Sequence, residues 1–468
     1  MKAKKGTRKP HESVMFNSNF NWIDAESGIS FSHSKVNVFK PFKHGSAVIG
    51  AHFGDTGKGK KVDALASDYK SKGLKVLSIR GQGSGNAGHT VIVDGKKMDF
   101  HYLTSAGLSA DIMLLGPGML IDPLKVLEEA KQLPEDKRSN IMIAERATII
   151  TDLDRGMDNW CERHRSSSGQ KAIGTTGSGV GPGAGNRGYR VHVTFGDALM
   201  CKSSQEFMEL LFKNPIYPDE VKYLMTPDKA DRIWEAIHSL NIVDSGEIIA
   251  RCRIEGDWAV LLEVSQAIGL DPLFGNGAHF VTSTPCTDIG GAMGAGLTMY
   301  DFPDGSTIVA KAYSSKVGGG DLLTKFSEEE HYLHEFINTI VPEKGVTTGR
   351  ERDLGWFDAL AIRHAIELTG ANVSVNCMDV IAAFSEVTDT VKICFAYQNK
   401  YNGKVIYRWP YNLYDYKPLY ATMKLSGDKD TDIKNYILFI EELIGKKIAE
   451  YGIGPAREDF KKREEAFK

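Results

Sequence analysis

The chain has 468 residues, 42% of them hydrophobic and 25% charged, with a formal net charge of −3. That length can bury a large core, and the near balance of charge offers no basic field that would point to nucleic acid as a partner. No run approaches the ~18 uninterrupted apolar residues of a membrane span, and no apolar signal core follows the basic start MKAKKGTRKPHE, so no membrane partner and a cytoplasmic location are expected.

Residues 1–45 are polar, carry isolated aromatics and show no sustained period of 2 or 3.6. They read as an N-terminal extension that lies on the domain or is partly disordered. From GSAVIGAHFG onward, short apolar runs alternate with helical patterns. KVLSIRG, DIMLLGPG, NIMIAERATIIT, DWAVLLEVSQ, STIVAKAYSS, ANVSVNCMDVIAAF and TVKICFAYQ read as buried parallel strands. IDPLKVLEEAKQL, DALAIRHAIELTG and DIKNYILFIEELIGKKIAEYG read as helices. The alternation predicts an α/β fold: one large domain over residues 46–468, with a mostly parallel central sheet covered by helices on both faces. A helical insertion is expected near residues 203–245. Functional loops should lie at the C-terminal ends of the strands.

The six cysteines (Cys161, Cys201, Cys252, Cys286, Cys377 and Cys394) are scattered, with no Cys-x-x-Cys pair and no zinc-type Cys/His set. A reduced setting suits them.

Two glycine loops carry the chemistry. Gly54-Asp55-Thr56-Gly57-Lys58-Gly59-Lys60-Lys61 nearly spells a P-loop, but Lys61 occupies the position whose hydroxyl would hold Mg²⁺. Gly54, Gly57 and Gly59 still let backbone amides approach a polyphosphate, Lys58 and Lys60 add charge, and a helix N-terminus follows. Asp55 is the loop's one metal ligand or base. The bland alternative is a glycine-rich turn with solvated lysines. One strand later, IRGQGSGNAGHTVI places Gly81, Gly83, Gly85 and Gly88 around Asn86, His89 and Thr90. A lone histidine is most often structural, but His89 lies in a glycine-rich loop beside another such loop, which favours a role over a nucleotide phosphate.

Together these loops resemble the adenylosuccinate synthetase family, whose counterparts read roughly G-D-E-G-K-G-K and G-x-N-A-G-H-T. The resemblance continues in order through KAIGTTGSGVGPG, HFVTSTPCTDIGG, KAYSSKVGGG, VTTGRERDLGWFDALAIRHA and GIGPARED, from about residue 46 to the end. It implies a ligase that joins L-aspartate to C6 of a 6-oxopurine nucleoside monophosphate, IMP or a close analogue. GTP or ATP would drive the reaction through a 6-phosphoryl intermediate.

The resemblance also implies roles for individual residues. Asp55, His89 and Lys58 would be catalytic: Asp55 takes the N1 proton, and His89 serves the leaving β,γ-bridging oxygen. Asp55 and the Gly88 carbonyl would hold Mg²⁺. Gly54, Thr56, Gly57, Gly59, Lys60, Asn86, Thr176, Gln266, Thr282, Arg352, Asp379 and Gly454 would contact the nucleotides, and Thr348 and Arg350 the aspartate. A homodimer is implied as well.

The departures from the family cluster around nucleotide choice. Thr56 replaces a glutamate, Ser178 an arginine, and Val264-Ser265 a Gly-Ala pair before Gln266. In VNCMDV, Asn376 and Asp379 match a guanine-selecting pattern whose lysine is here Cys377. An arginine that the family donates across its dimer has become Asn186 or shifted to Arg187. Some phage-encoded relatives accept dGMP, prefer an adenine donor, and carry a small residue where this chain keeps Asp55. Three readings therefore stay open: IMP as acceptor, dGMP or GMP as acceptor, and a nucleotide-binding regulatory protein without catalysis.

Overall fold

The computed structural model describes Trp22–Ile23, Ser30–Phe31 and residues 40–468, apart from 55, 87, 94–95, 170–172, 278, 317–318 and 346–348. The chain divides into two compact units, Met1–Pro41 and Phe42–Lys468. In the first, Trp22–Ile23 pairs antiparallel with Ser30–Phe31; the rest of the expected extension up to residue 39 lies outside the described residues.

The second unit is built on a ten-stranded sheet. In chain order its strands are β1 (His44–Gly50), β2 (Lys75–Arg80), β3 (Ile112–Leu115), β4 (Ile141–Ala144), β5 (Ile242–Val243), β6 (Trp258–Glu263), β7 (Ser306–Lys311), β8 (Asn372–Asn376), β9 (Glu450–Gly452) and β10 (Phe460–Lys462). Their spatial order is β5-β4-β3-β2-β6-β1-β7-β8-β9-β10. Every pairing is parallel except the last, β9 with β10. The chain leaves β1, skips a place to β2, runs out to the β5 edge, returns through β6 beside β1, and then builds the other half. The carboxyl ends of β1, β2 and β6 thus meet where the order reverses, the usual ligand crevice of such sheets.

Both faces of the sheet are buried, which explains the near-continuous apolar strands. Successive residues go to opposite sides. Ile49, Leu77, Leu262 and Ile308 pack against the helices Asp288–Ala295, Ala359–Thr369 and Lys429–Ile444. Val48, Val76, Leu261 and Val309 pack against α1 (Lys58–Ser71) and the helices Pro123–Ala130 and Pro227–Ser239. Helices occupy most of the chain between β4 and β5, from Asp152–Ser167 through Ser204–Phe212 to Pro227–Ser239.

Two strand expectations are corrected. In ANVSVNCMDVIAAF the strand stops at Asn376; Cys377 turns left-handed at φ 62° and caps a helix over Met378–Ala383. Thr390–Asn399 is not in the parallel sheet. It pairs antiparallel with Tyr416–Lys424 and parallel with Phe357–Asp358 in a second, four-stranded sheet. Val391 and Ile393 are buried and Lys392 between them is not, the alternation of a one-faced strand, until a bulge between Cys394 and Ala396 leaves Phe395 half-exposed and its neighbours buried.

Among the described residues, no helix is long and apolar enough to cross a membrane.

Candidate active site

The first glycine loop joins β1 to α1. Gly57 caps the helix in the left-handed region at φ 82° and brings no side chain to its first amides. Glycine is required there twice over, since a Cβ would also stand 2.4 Å from Asn376 Nδ2. That amide donates to the Thr56 carbonyl at 3.0 Å, so the end of β8 holds the loop's floor. Lys58 curls back to donate to the Gly54 carbonyl at 2.9 Å, and its ammonium lies over Gly50. Thr56 is buried, with its hydroxyl lacking a partner.

The second loop lies directly against the first. A Cβ on Gly59 would meet Ser105 Oγ at 2.9 Å and His89 Cβ at 3.4 Å, so the histidine sits over the first turn of α1. His89 Nδ1 is hydrogen-bonded to Glu263 at the end of β6. Glu263 also accepts from the Ser105 amide at 2.7 Å and the Ser105 hydroxyl at 2.6 Å. Burial alone would raise this carboxyl, but His89, the Arg80 guanidinium and Ser105 draw it down to about 2. Burial pushes the His89 ring the other way, toward its neutral form.

Beyond β6 the chain turns through Gln266, left-handed at φ 58°. Its Nε2 donates to Asn86 Oδ1 at 3.0 Å, joining two expected nucleotide contacts. Its Oε1 is buried and has no hydrogen-bond partner among the described residues.

Residues 450–460 form the far wall. Lys60 Nζ donates to the Gly454 carbonyl at 2.6 Å and stands 4.1 Å from the centre of the Phe460 ring. Burial lowers its pKa, partly offset by Asp459, Asp379 and Glu450. Half-buried Asp379 is pushed up by burial, with Lys60 opposing. Lys61, which stands where a P-loop would carry a hydroxyl, pairs with Glu450 at 2.7 Å. Arg457 grips Asp63 of α1 with two bonds of 2.8 and 3.0 Å. The C-terminal segment and the phosphate-loop helix are therefore joined by three charged contacts. Arg457→Ala is expected to raise the KM for the nucleoside triphosphate roughly tenfold, the loss of about 1.4 kcal/mol of loop placement. The KM values for monophosphate and aspartate should hold. Equal rises in all three, in steady-state kinetics, would contradict this role for the contact.

The remaining expected residues are more dispersed. Arg350 is exposed and donates to the Gly174 carbonyl at 3.2 Å, which brings its loop to the one bearing Thr176. Thr176 itself bonds Ser178 at 3.0 Å. Thr282 is half-buried, its amide donating to the Leu270 carbonyl at 2.7 Å. Arg352 is buried and pairs with Glu343 at 2.6 Å. Asp55 and Thr348 lie outside the described residues, and Gly88 precedes His89 at the start of its strand.

Neither candidate for the dimer-crossing arginine reaches outward. Asn186 is buried among Asp154, Tyr217 and Asn214. Arg187 donates to Thr148 Oγ1 and to the carbonyls of Pro117, Gly118 and Met119, all at 2.6–2.9 Å.

Three functional candidates escaped the sequence reading. Glu263 had a signal, a carboxylate ending the apolar run WAVLLE, since a buried charge needs a partner. Glu343 had none, because its partners are set by tertiary packing; Arg457 lies in the GIGPARED motif, but its pairing with Asp63 is likewise set by packing.

An arrangement of this kind, with facing glycine loops at the carboxyl edge of a parallel sheet, defines a nucleotide-dependent α/β enzyme. Comparison with known proteins narrows the class. The chain belongs to the adenylosuccinate synthetase family, whose model matches residues 47–461. It is 33% identical over 433 residues to the adenylosuccinate synthetase of Wolinella succinogenes, spanning 88% of this chain and 98% of that one. It is 32% identical to that of Lactococcus lactis, over 88% and 96%. Among solved structures, the fully ligated Plasmodium falciparum adenylosuccinate synthetase superposes with a TM-score of 0.77 at 26% identity, covering 89% of this chain and 98% of that one. Cyanophage S-2L succinoaminodeoxyadenylate synthetase, bound to dGMP and dATP, shares the fold at a TM-score of 0.58 and 18% identity, over 90% and 96%.

Proposed function

We propose that the protein is a ligase that condenses L-aspartate with C6 of IMP, using GTP or ATP. The observation that carries this reading is the His89–Glu263 pair over the first turn of α1, with the Asn86–Gln266 pair beside it. In the proposed sequence Asp55 takes the N1 proton, and O6 attacks the γ-phosphorus of the triphosphate. The bond to the bridging oxygen breaks, with His89 and Lys58 meeting the charge that develops there. The amine of aspartate, held by Arg350 and Thr348, then displaces phosphate from C6.

Mg²⁺ suits the donors on offer. The Asp55 carboxylate and the Gly88 carbonyl would offer it oxygen donors, which a hard cation prefers. Bound there, Mg²⁺ would neutralise phosphate charge.

A guanylate such as dGMP is the second reading, supported by the fold shared with the cyanophage S-2L enzyme bound to dGMP. The test is phosphate release with Mg²⁺ and L-aspartate across GTP, ATP and dATP as donors and IMP, GMP and dGMP as acceptors, products identified by mass. Adenylosuccinate from IMP is the expected result. Turnover confined to guanylates would install the second reading, and tight binding without turnover would replace both with a regulatory protein. Light scattering on the same sample tests the implied homodimer, which a monomer mass would refute.

A further inference from the structure

We infer that Glu263 is the positioning residue for His89, fixing which ring nitrogen faces the nucleotide. Glu263 ends β6, where Trp258–Glu263 is buried throughout, and its own side chain is 0% exposed. A carboxylate in that setting is costly unless its oxygens are filled by donors, and three fill them: the Ser105 amide, the Ser105 hydroxyl and His89 Nδ1. An ionised carboxylate only accepts. Nδ1 therefore carries the ring proton, and Nε2 is the nitrogen left to serve a ligand. Ser105 and His89 both abut Gly59, so the same contacts fix the ring against the first turn of α1.

The role rests on the function proposed above, in which His89 serves the bridging oxygen. To donate to the bridging oxygen Nε2 must take a second proton, and Glu263 stabilises the doubly protonated ring that carries it; a ring free to flip, or one without that counter-charge, would leave binding intact while presenting the wrong atom or no proton to the reaction. The loss should fall on kcat. Removing the carboxylate that orients a functional histidine commonly costs about 10- to 100-fold, and more where the wrong tautomer results.

Two measurements on Glu263→Gln test this. Kinetics should show kcat reduced about 10- to 100-fold with KM for both nucleotides within about threefold; unchanged kcat would overturn the inference. ¹⁵N NMR of histidine-labelled protein without ligands, with the His89 signals identified by their loss in His89→Asn, should show the Nδ1–H form in the wild type and a mixed or Nε2–H form in the variant. A wild-type Nε2–H ring, or the same tautomer in both proteins, would overturn it. The spectra need no turnover, so a locked ring in a protein inactive across the substrate matrix would defeat the ligase reading and leave the positioning intact. If Glu263→Gln does not fold, the wild-type tautomer alone decides, with Ser105→Ala expected to give a smaller kcat loss in the same direction.

Discussion

His89→Asn is expected to lower kcat about 10³-fold, a loss of ~4 kcal/mol of transition-state stabilisation, while the KM for each nucleotide changes little. The ring has two neighbours that matter: Glu263 behind it and the first turn of α1 beneath it. Asparagine keeps a donor for the buried carboxylate, so the fold should survive and the defect should be chemical. It cannot reach as far as Nε2, and its amide cannot transfer a proton. The phosphoryl step, in which charge builds on the bridging oxygen, should therefore be the step that slows. Single-turnover mixing of enzyme, triphosphate and acceptor, with circular dichroism as the control for folding, separates that step from binding. A kcat within tenfold of wild type would mean that the histidine is structural and that the lysines and loop amides carry the charge alone.

How much of this was readable beforehand depends on how local the signal is. The two glycine loops were legible because steric demands at Gly57 and Gly59 leave a mark in the sequence itself, and the ordered motifs carried the family. The strand over Asn372–Asn376 was legible, but its end was not: apolar residues run on through Val380 and Ile381, and nothing in the pattern requires the left-handed turn at Cys377 that starts the next helix. Thr390–Asn399 was misplaced because a length of apolar residues was weighed above their alternation.

Within the site, the sequence reading gave Lys61 no partner and Glu263 only a place in a strand. Their roles depend on Glu450 and His89, respectively 389 and 174 residues distant along the chain. Asp63 and Arg457, 394 residues apart, are the same case. The spacing of a motif reports what one segment needs, whereas a buried ion pair reports how two segments meet.

The largest loss of stability is expected from Glu343→Gln. Glu343 is a fully buried carboxylate between two cations, Lys311 at 2.6 and 2.9 Å and Arg352 at 2.6 Å, and it also accepts from the Tyr313 hydroxyl and Ser315 Oγ. Neutralising it leaves two buried positive charges facing an amide, and breaking such a cluster typically costs about 3–5 kcal/mol. The penalty belongs to the lost counter-charge more than to the worth of the pairs. Adding Lys311→Met to Glu343→Gln should therefore recover a good part of the loss, a non-additivity that a double-mutant cycle in thermal unfolding reads directly.

The damage should also reach the loop. Lys311 ends β7 and is paired in register with Asn376, whose amide holds the Thr56 carbonyl. Lys311, Tyr313 and Ser315 line a cavity of ≈ 20 Å³ beside Thr56, room for about one water. Glu343→Gln should thus raise the KM for the triphosphate even at temperatures where the protein stays folded. A variant within about 1 kcal/mol of wild type would show that water or a rearranged Arg352 relieves the stranded charge, and that the phosphate loop does not depend on this cluster.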